Sequence, residues 1–202
     1  YLNSSIYSDA FVSTTSFYPA KVLGAAGDGG CVFTNDQFIA KKIRKLANHG
    51  RNNQYQHDLI GWNSRLDNLQ AAYLNLALEI LPNKLESRRK AQSQYLQKLM
   101  VPQLQSSQDF FDNAYCQVCL FENLNIRKKV ISALDKNNIG YSIIYPTPIS
   151  EQKALKGLTI KKNLKNISGE FCKRVLSLPL FPYIEDKELN LIIDIVNSAY
   201  LN

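Results

Sequence analysis

Long apolar runs are missing from this 202-residue chain. None approaches the roughly 20 residues that a membrane-spanning helix needs, so no membrane span is expected. The first residues, Tyr1-Leu2-Asn3-Ser4-Ser5, carry no basic region followed by an apolar stretch, so no signal peptide is visible there. Cysteine is scarce, with four in the whole chain. That is too few for a disulfide scaffold of this size and points to a reducing cytoplasm. There are two histidines, His49 and His57, and neither has a ligand partner visible in the sequence. Cys116 and Cys119 form a Cys-x-x-Cys pair, but they sit in a stretch, 113–121, that reads as a strand. Side chains three apart on a strand point to opposite faces, and no second Cys pair completes a metal site. Internal repeats and low-complexity segments are also missing.

What is present is ordinary for a globular protein: 45% hydrophobic and 20% charged residues. The formal charge of +7 raises the question of a nucleic-acid or membrane-surface partner. The basic residues are spread in small clusters, at Lys41-Lys42, Arg88-Arg89-Lys90, Lys128-Lys129 and Lys161-Lys162. Most fall on polar faces of predicted helices, the pattern of a solvated surface. No nucleic-acid partner is expected. A positive field would instead favour an anionic small substrate.

Strands and helices alternate. Residues 11–17 read as a strand that Pro19 stops. Residues 31–34 read as a second strand. Asp36 then caps a helix with apolar Ile39, Ile43 and Leu46 at helical spacing, closed by Gly50. Ser64, with Asp67 three residues on, predicts the start of another helix. Pro82 predicts an interruption and a domain boundary, with a long helix beyond it. The second half predicts a strand at 113–121, a helix at 126–138 ended near Gly140, and a strand at 141–145 before Pro146 and Pro148. A short helix near 170–176 and a final helix carrying Leu189, Ile192, Ile193 and Val196 complete it. This alternation indicates α/β or α+β architecture.

The chemistry gathers at Ser16-Phe17-Tyr18-Pro19-Ala20-Lys21, followed by Gly24 and Gly27-Asp28-Gly29-Gly30. A lysine at a strand end lies on a rigid element, and the glycines after it let backbone approach a ligand. A primary amine is the side chain that condenses with an aldehyde.

The segment resembles the Schiff-base signature of the DegT/DnrJ/EryC1/StrS family of sugar aminotransferases. Its form is Ser-Phe-[Phe/Tyr]-Pro-x-Lys-x-Leu-Gly, then Gly-Asp-Gly-Gly, and every position matches. The similarity continues in order through Asn48-His49-Gly50, Gly61-Trp62-Asn63-Ser64-Arg65-Leu66-Asp67, Gln70-Ala71-Ala72, Arg88 or Arg89, and Tyr95. It reaches Tyr145-Pro146-Thr147-Pro148 and Leu178-Pro179-Leu180-Phe181-Pro182, and so covers nearly the whole chain.

The resemblance implies a pyridoxal 5'-phosphate (PLP) enzyme of fold-type I. The fold class expected is α/β. Residues 1–82 would form the C-terminal part of the PLP-binding large domain, and 83–202 the small C-terminal α+β domain. Lys21 would hold PLP covalently and later shuttle a proton. Ser16 would donate to the cofactor phosphate, a group that wants several positioned donors. Asn63 would reach the phosphate of a neighbouring subunit, which implies a homodimer. Arg65 would face an anionic part of the substrate, and Tyr145 would line the sugar-nucleotide pocket. The reaction implied is transfer of an amino group, from glutamate, to a nucleotide-linked keto-sugar in amino-sugar and lipopolysaccharide biosynthesis.

Each residue also has a plainer reading. Ser16 could be a strand serine, Asn63 turn chemistry after Gly61, Arg65 a local pairing, Tyr145 a core aromatic, and His49 a structural residue. Two positions depart from the family pattern: Ile144 and Ser150 stand where histidines are common, which leaves the acceptor sugar open. The family also supplies a carboxylate for the pyridine nitrogen from the portion before the lysine. Of the twenty residues before Lys21, Asp9 is the only acid, and it does not match that motif. Most of the cofactor domain is therefore expected to be missing. The alternative expectation is a non-catalytic fragment or partner-binding domain. A PLP-dependent sugar dehydratase is disfavoured, because those members carry histidine in place of Lys21.

Overall fold

The computed structural model describes residues 10–107, 110–155, 157–158 and 167–202. Asp9 and the Lys161-Lys162 pair lie outside the described residues. The chain divides into two compact units: residues 1–83 with 108–111, and residues 84–107 with 112–202.

In the first unit, β1 (Ser13–Ser16) and β2 (Gly30–Phe33) pair as an antiparallel hairpin, with Ser16 opposite Gly30. Gly30 is needed there because a Cβ would lie 2.9 Å from the Thr15 carbonyl oxygen. The helix α1 (Gln37–Ala47) follows, and Asp36 caps it by accepting from the backbone N–H groups of Phe38 and Ile39. The cap at its far end is Asn48 rather than Gly50. His49 and Gly50 both take left-handed backbone conformations, with φ of 59° and 71°. No residue of α1 is buried among the described residues, although its apolar positions recur at helical spacing. The buried hydrophobic residues described in this unit are Ala25, Leu74 and Ala77.

The helix α2 (Asn68–Lys98) differs from the sequence expectation twice. Ser64 does not open it. Its N–H is committed to the Ala47 carbonyl, while Asp67 accepts from Gln70 N–H at 2.8 Å and caps the helix instead. Pro82 does not interrupt it either. Proline removes one intrahelical donor, but Leu78 and Pro82 are both exposed, so water can satisfy the carbonyl left without its partner.

The second unit holds a continuous hydrophobic core. In it, β3 (Gln117–Leu120) pairs antiparallel with β4 (Val175–Leu178), and α3 (Leu124–Lys136), α4 (Ile167–Arg174) and α5 (Asp186–Leu201) accompany them. Tyr95, Phe121, Val130, Leu134, Leu176, Leu189 and Val196 are among its fully buried members. Arg88, half-buried, donates to the carbonyls of Ala114 (3.1 Å) and Leu180 (2.9 Å), tying α2 to two distant loops.

Three expectations in this unit need correction. The strand predicted at 113–121 is confined to Gln117–Leu120. Upstream of it, Asp112 and Asn113 accept from the N–H groups two residues on, at 2.7 and 3.1 Å. These local turns compete with ladder pairing. The stretch 141–145 forms no strand, only a single bridge from Ser142 to Ser177. Pro146 and Pro148 bring no N–H to extend it. Finally, the predicted short helix near 170–176 begins and ends earlier, and Val175–Leu178 is a strand buried along its whole length. That four-residue run of Val, Leu, Ser and Leu carried a buried-strand signal.

No described helix is long and apolar enough to cross a membrane. Among the described residues no His, Cys, Asp and Glu cluster could hold a metal ion. Cys116 is half-buried, whereas Cys119 lies in the core, where burial pushes its thiol up to about 12.

Candidate active site

Ser16 and Lys21 bracket one tight turn at the end of β1. Ser16 Oγ accepts from the Tyr18 N–H at 3.2 Å, and the Lys21 N–H donates to the Tyr18 carbonyl at 2.8 Å. The loop beyond returns at once: Ala25 N–H donates to the Phe17 carbonyl at 2.7 Å, and Phe17 N–H to the Gly29 carbonyl at 2.8 Å. Gly24 permits this return, since a Cβ on it would lie 2.5 Å from the Pro19 carbonyl oxygen. Lys21 and Ser16 are exposed. Because the Ser16 oxygen is the acceptor in its internal bond, its own O–H proton is available to an incoming oxyanion.

Asn63 and Arg65 come together through a second piece of local structure. Where α1 ends, its last turns receive the 61–64 segment: Trp62 N–H donates to the Leu46 carbonyl (2.7 Å) and Ser64 N–H to that of Ala47 (2.8 Å). His49 N–H donates to the Trp62 carbonyl at 2.8 Å, and Asn48 and Asn63 form an antiparallel bridge. The side chain of Arg65 turns back to Asn48, its Nη1 donating to Asn48 Oδ1 at 2.8 Å. The local pairing that the sequence left open for Arg65 is thus with an amide. His57 Nδ1 lies 2.8 Å from the His49 carbonyl oxygen, and Lys45 forms an ion pair with Asp58 at 2.9 Å.

Asn63 and Arg65 line a cleft of about 1080 Å³ whose walls also include Thr14, Thr15, Arg44 and Ala47. Ser16 and Lys21 do not line that cleft. Tyr145 belongs to the second unit and is 70% exposed, so its reading as a core aromatic is corrected: the strand that would have buried it does not form. Asn48 is the residue whose role single-position reasoning missed. It was visible only as the first letter of Asn48-His49-Gly50, and nothing in the sequence connects it to a side chain 17 residues away.

The model of the DegT/DnrJ/EryC1/StrS aminotransferase family matches residues 5–197. The UDP-2-acetamido-2-deoxy-3-oxo-D-glucuronate aminotransferase of Pseudomonas aeruginosa is 34% identical over 185 residues, covering 90% of this chain and 50% of that protein. The UDP-N-acetyl-3-dehydro-alpha-D-glucosamine 3-aminotransferase of Acidithiobacillus ferrooxidans is 35% identical, covering 91% of this chain and 49% of that one. In structure, a DegT DnrJ EryC1 StrS aminotransferase from Brucella abortus matches with a TM-score of 0.88 at 32% identity, over 95% of this chain and 52% of that one. The chain spans about half the length of the curated relatives it matches. With a family model matching nearly end to end and an α/β fold shared with a solved member, the chain belongs to the DegT/DnrJ/EryC1/StrS aminotransferase family.

Proposed function

We propose that the protein carrying this chain is a PLP-dependent aminotransferase acting on a nucleotide-linked keto-sugar, with glutamate as amino donor. The observation that carries this reading is the turn that sets Ser16 and Lys21 five residues apart at one strand end, in a chain of this family. The donor set there fits PLP: an amine for its aldehyde, and a hydroxyl with a proton to give for its phosphate. When bound, PLP supplies an electrophilic carbonyl and a ring that accepts the electron pair left when a donor carbon loses its proton.

This chain's residues do the rest. Lys21 Nζ holds the cofactor and, once released, carries the proton between donor carbon and cofactor as general base and then acid. Ser16 Oγ donates to the phosphate. Asn63 donates to the same group of a second copy of the chain, so the active assembly is a homodimer. Arg65 presents its guanidinium to an anionic part of the substrate, and Tyr145 offers an exposed ring to the sugar-nucleotide. The names of the Pseudomonas and Acidithiobacillus relatives support amination at a 3-keto position. The setting is amino-sugar and lipopolysaccharide biosynthesis in the cytoplasm. Residues 1–82 are assigned to the PLP-binding large domain and 83–202 to the small C-terminal domain.

The test is to mix the whole protein that carries this chain with PLP, reduce with borohydride, and map the pyridoxyl label by mass spectrometry. Label is expected at Lys21 in the wild type and absent from that peptide in K21A. A label spread evenly over the exposed lysines would defeat the reading and favour a non-catalytic, partner-binding role.

A further inference from the structure

Asn48 sits where α1 gives way to the loop and makes two different connections. Its backbone bridges Asn63, and its side-chain oxygen accepts from Arg65 Nη1 at 2.8 Å. A guanidinium carries five N–H donors in a planar fork. Fixing one of them to a neighbour sets the plane of the rest, lowering the ordering cost when an anion binds. The anchor is itself held. Asn48 N–H donates to the Lys45 carbonyl at 3.0 Å, and the neighbouring His49 N–H is fixed to Trp62. Gly61 passes so close to α1 that a Cβ on it would lie 2.6 Å from the Leu46 carbonyl oxygen.

We propose that Asn48 is a positioning residue: its side chain presets the guanidinium of Arg65, while its backbone sets the register of Asn63. Its amide acts through Arg65, the side chain it contacts. The functional consequence rests on the proposed role of Arg65 toward an anionic substrate. The positioning itself does not, and the two separate in one experiment.

Nitrogen-15 relaxation at Arg65 Nε is measured in the full chain, with Arg44, which lines the same cleft, as reference. Wild-type Arg65 is expected to be the more ordered of the two. N48L, which keeps the backbone bridge and removes the acceptor, is expected to release Arg65. N48D, which keeps an oxygen at the same atom, is expected to hold it. Binding of UDP, as a diphosphate probe, is expected to weaken about fivefold in N48L, the scale of one exposed charge-assisted hydrogen bond. N48D is expected to bind UDP more weakly although it holds Arg65, because its carboxylate neutralises the guanidinium and repels the diphosphate, so N48D is read by Arg65 order alone. A wild-type Arg65 as mobile as Arg44 would overturn the proposal without any variant, and so would unchanged Arg65 order in a folded N48L. If N48L frees Arg65 while UDP affinity is the same in wild type, N48L and R65A, the positioning stands and the anion-binding role of Arg65 falls.

Discussion

Gly50 and Gly61 cross with no room for a side chain on either. A Cβ on Gly61 would collide with the Gly50 nitrogen, and one on Gly50 would run into the Leu59 carbonyl. Gly50 also sits at φ 71°, where a side chain is strained whatever the space. The crossing docks the 61–65 segment on the end of α1 and so sets where Asn63 and Arg65 stand. We expect G61A to destabilise the first unit by at least about 2 kcal/mol, because backbone rather than a movable side chain must shift. Hydrogen exchange should show faster amides at Trp62 and Ser64. Amides of the second unit, such as Leu176, should keep their protection.

Tyr95 tests the other unit. Its ring is fully buried, and its hydroxyl donates to the Pro179 carbonyl at 2.8 Å across 84 residues of sequence. Burial first, and then the neighbouring Cys119, push the phenol well above its ordinary value, so it stays a neutral donor. Y95F keeps the packing and orphans one carbonyl. A loss of about 1 kcal/mol in urea unfolding is expected, with an unchanged m-value. A neutral Y95F would show that water already serves Pro179.

Stability should also respond to pH through Glu122 and Tyr200. The Tyr200 hydroxyl donates to Glu122 Oε1 at 2.5 Å. That bond is the main cause holding the Glu122 carboxyl below its usual range and raising the Tyr200 phenol above its own. For a carboxyl depressed on folding, the contribution is present above its unfolded value of about 4.3 and is lost as pH falls through the folded value. For a phenol raised on folding, it is present below about 10 and is lost as pH rises through the folded value. Glu122 is exposed and Tyr200 is only partly buried, so solvent screening keeps the effect small. The wild type is expected to exceed Y200F in urea midpoint between those limits, and the gap should close on either side. A gap independent of pH would show that the Glu122 charge plays no part in it, since the ring contact with Phe121 is kept in both proteins.

How much was legible beforehand varied with how local the cause was. Asp36 and the periodic Ile39, Ile43 and Leu46 announce α1, because a cap and a 3.6-residue repeat act over one or two turns. The glycines after Lys21 announce a close backbone return, and the structure supplies its partners in Phe17 and Pro19. Ser64 and Pro82 misled for the opposite reason. Each follows a local rule, but Ser64 is claimed by Ala47, 17 residues earlier, and Pro82 falls at an exposed position of a helix that runs on through it. The stretch 141–145 has strand composition, yet its pairing ends after one bridge to Ser177.

By itself the order of residues determined the family, the α/β class and the candidate amine at Lys21. Those rest on side-chain chemistry and on spacings short enough for the backbone to fix. Only the tertiary structure decided that Asn48 meets Arg65, that Gly50 crosses Gly61, and that Tyr145 stands in the open. These depend on which distant segments reach the same place, and a spacing in sequence carries no information about that until the loops between have closed.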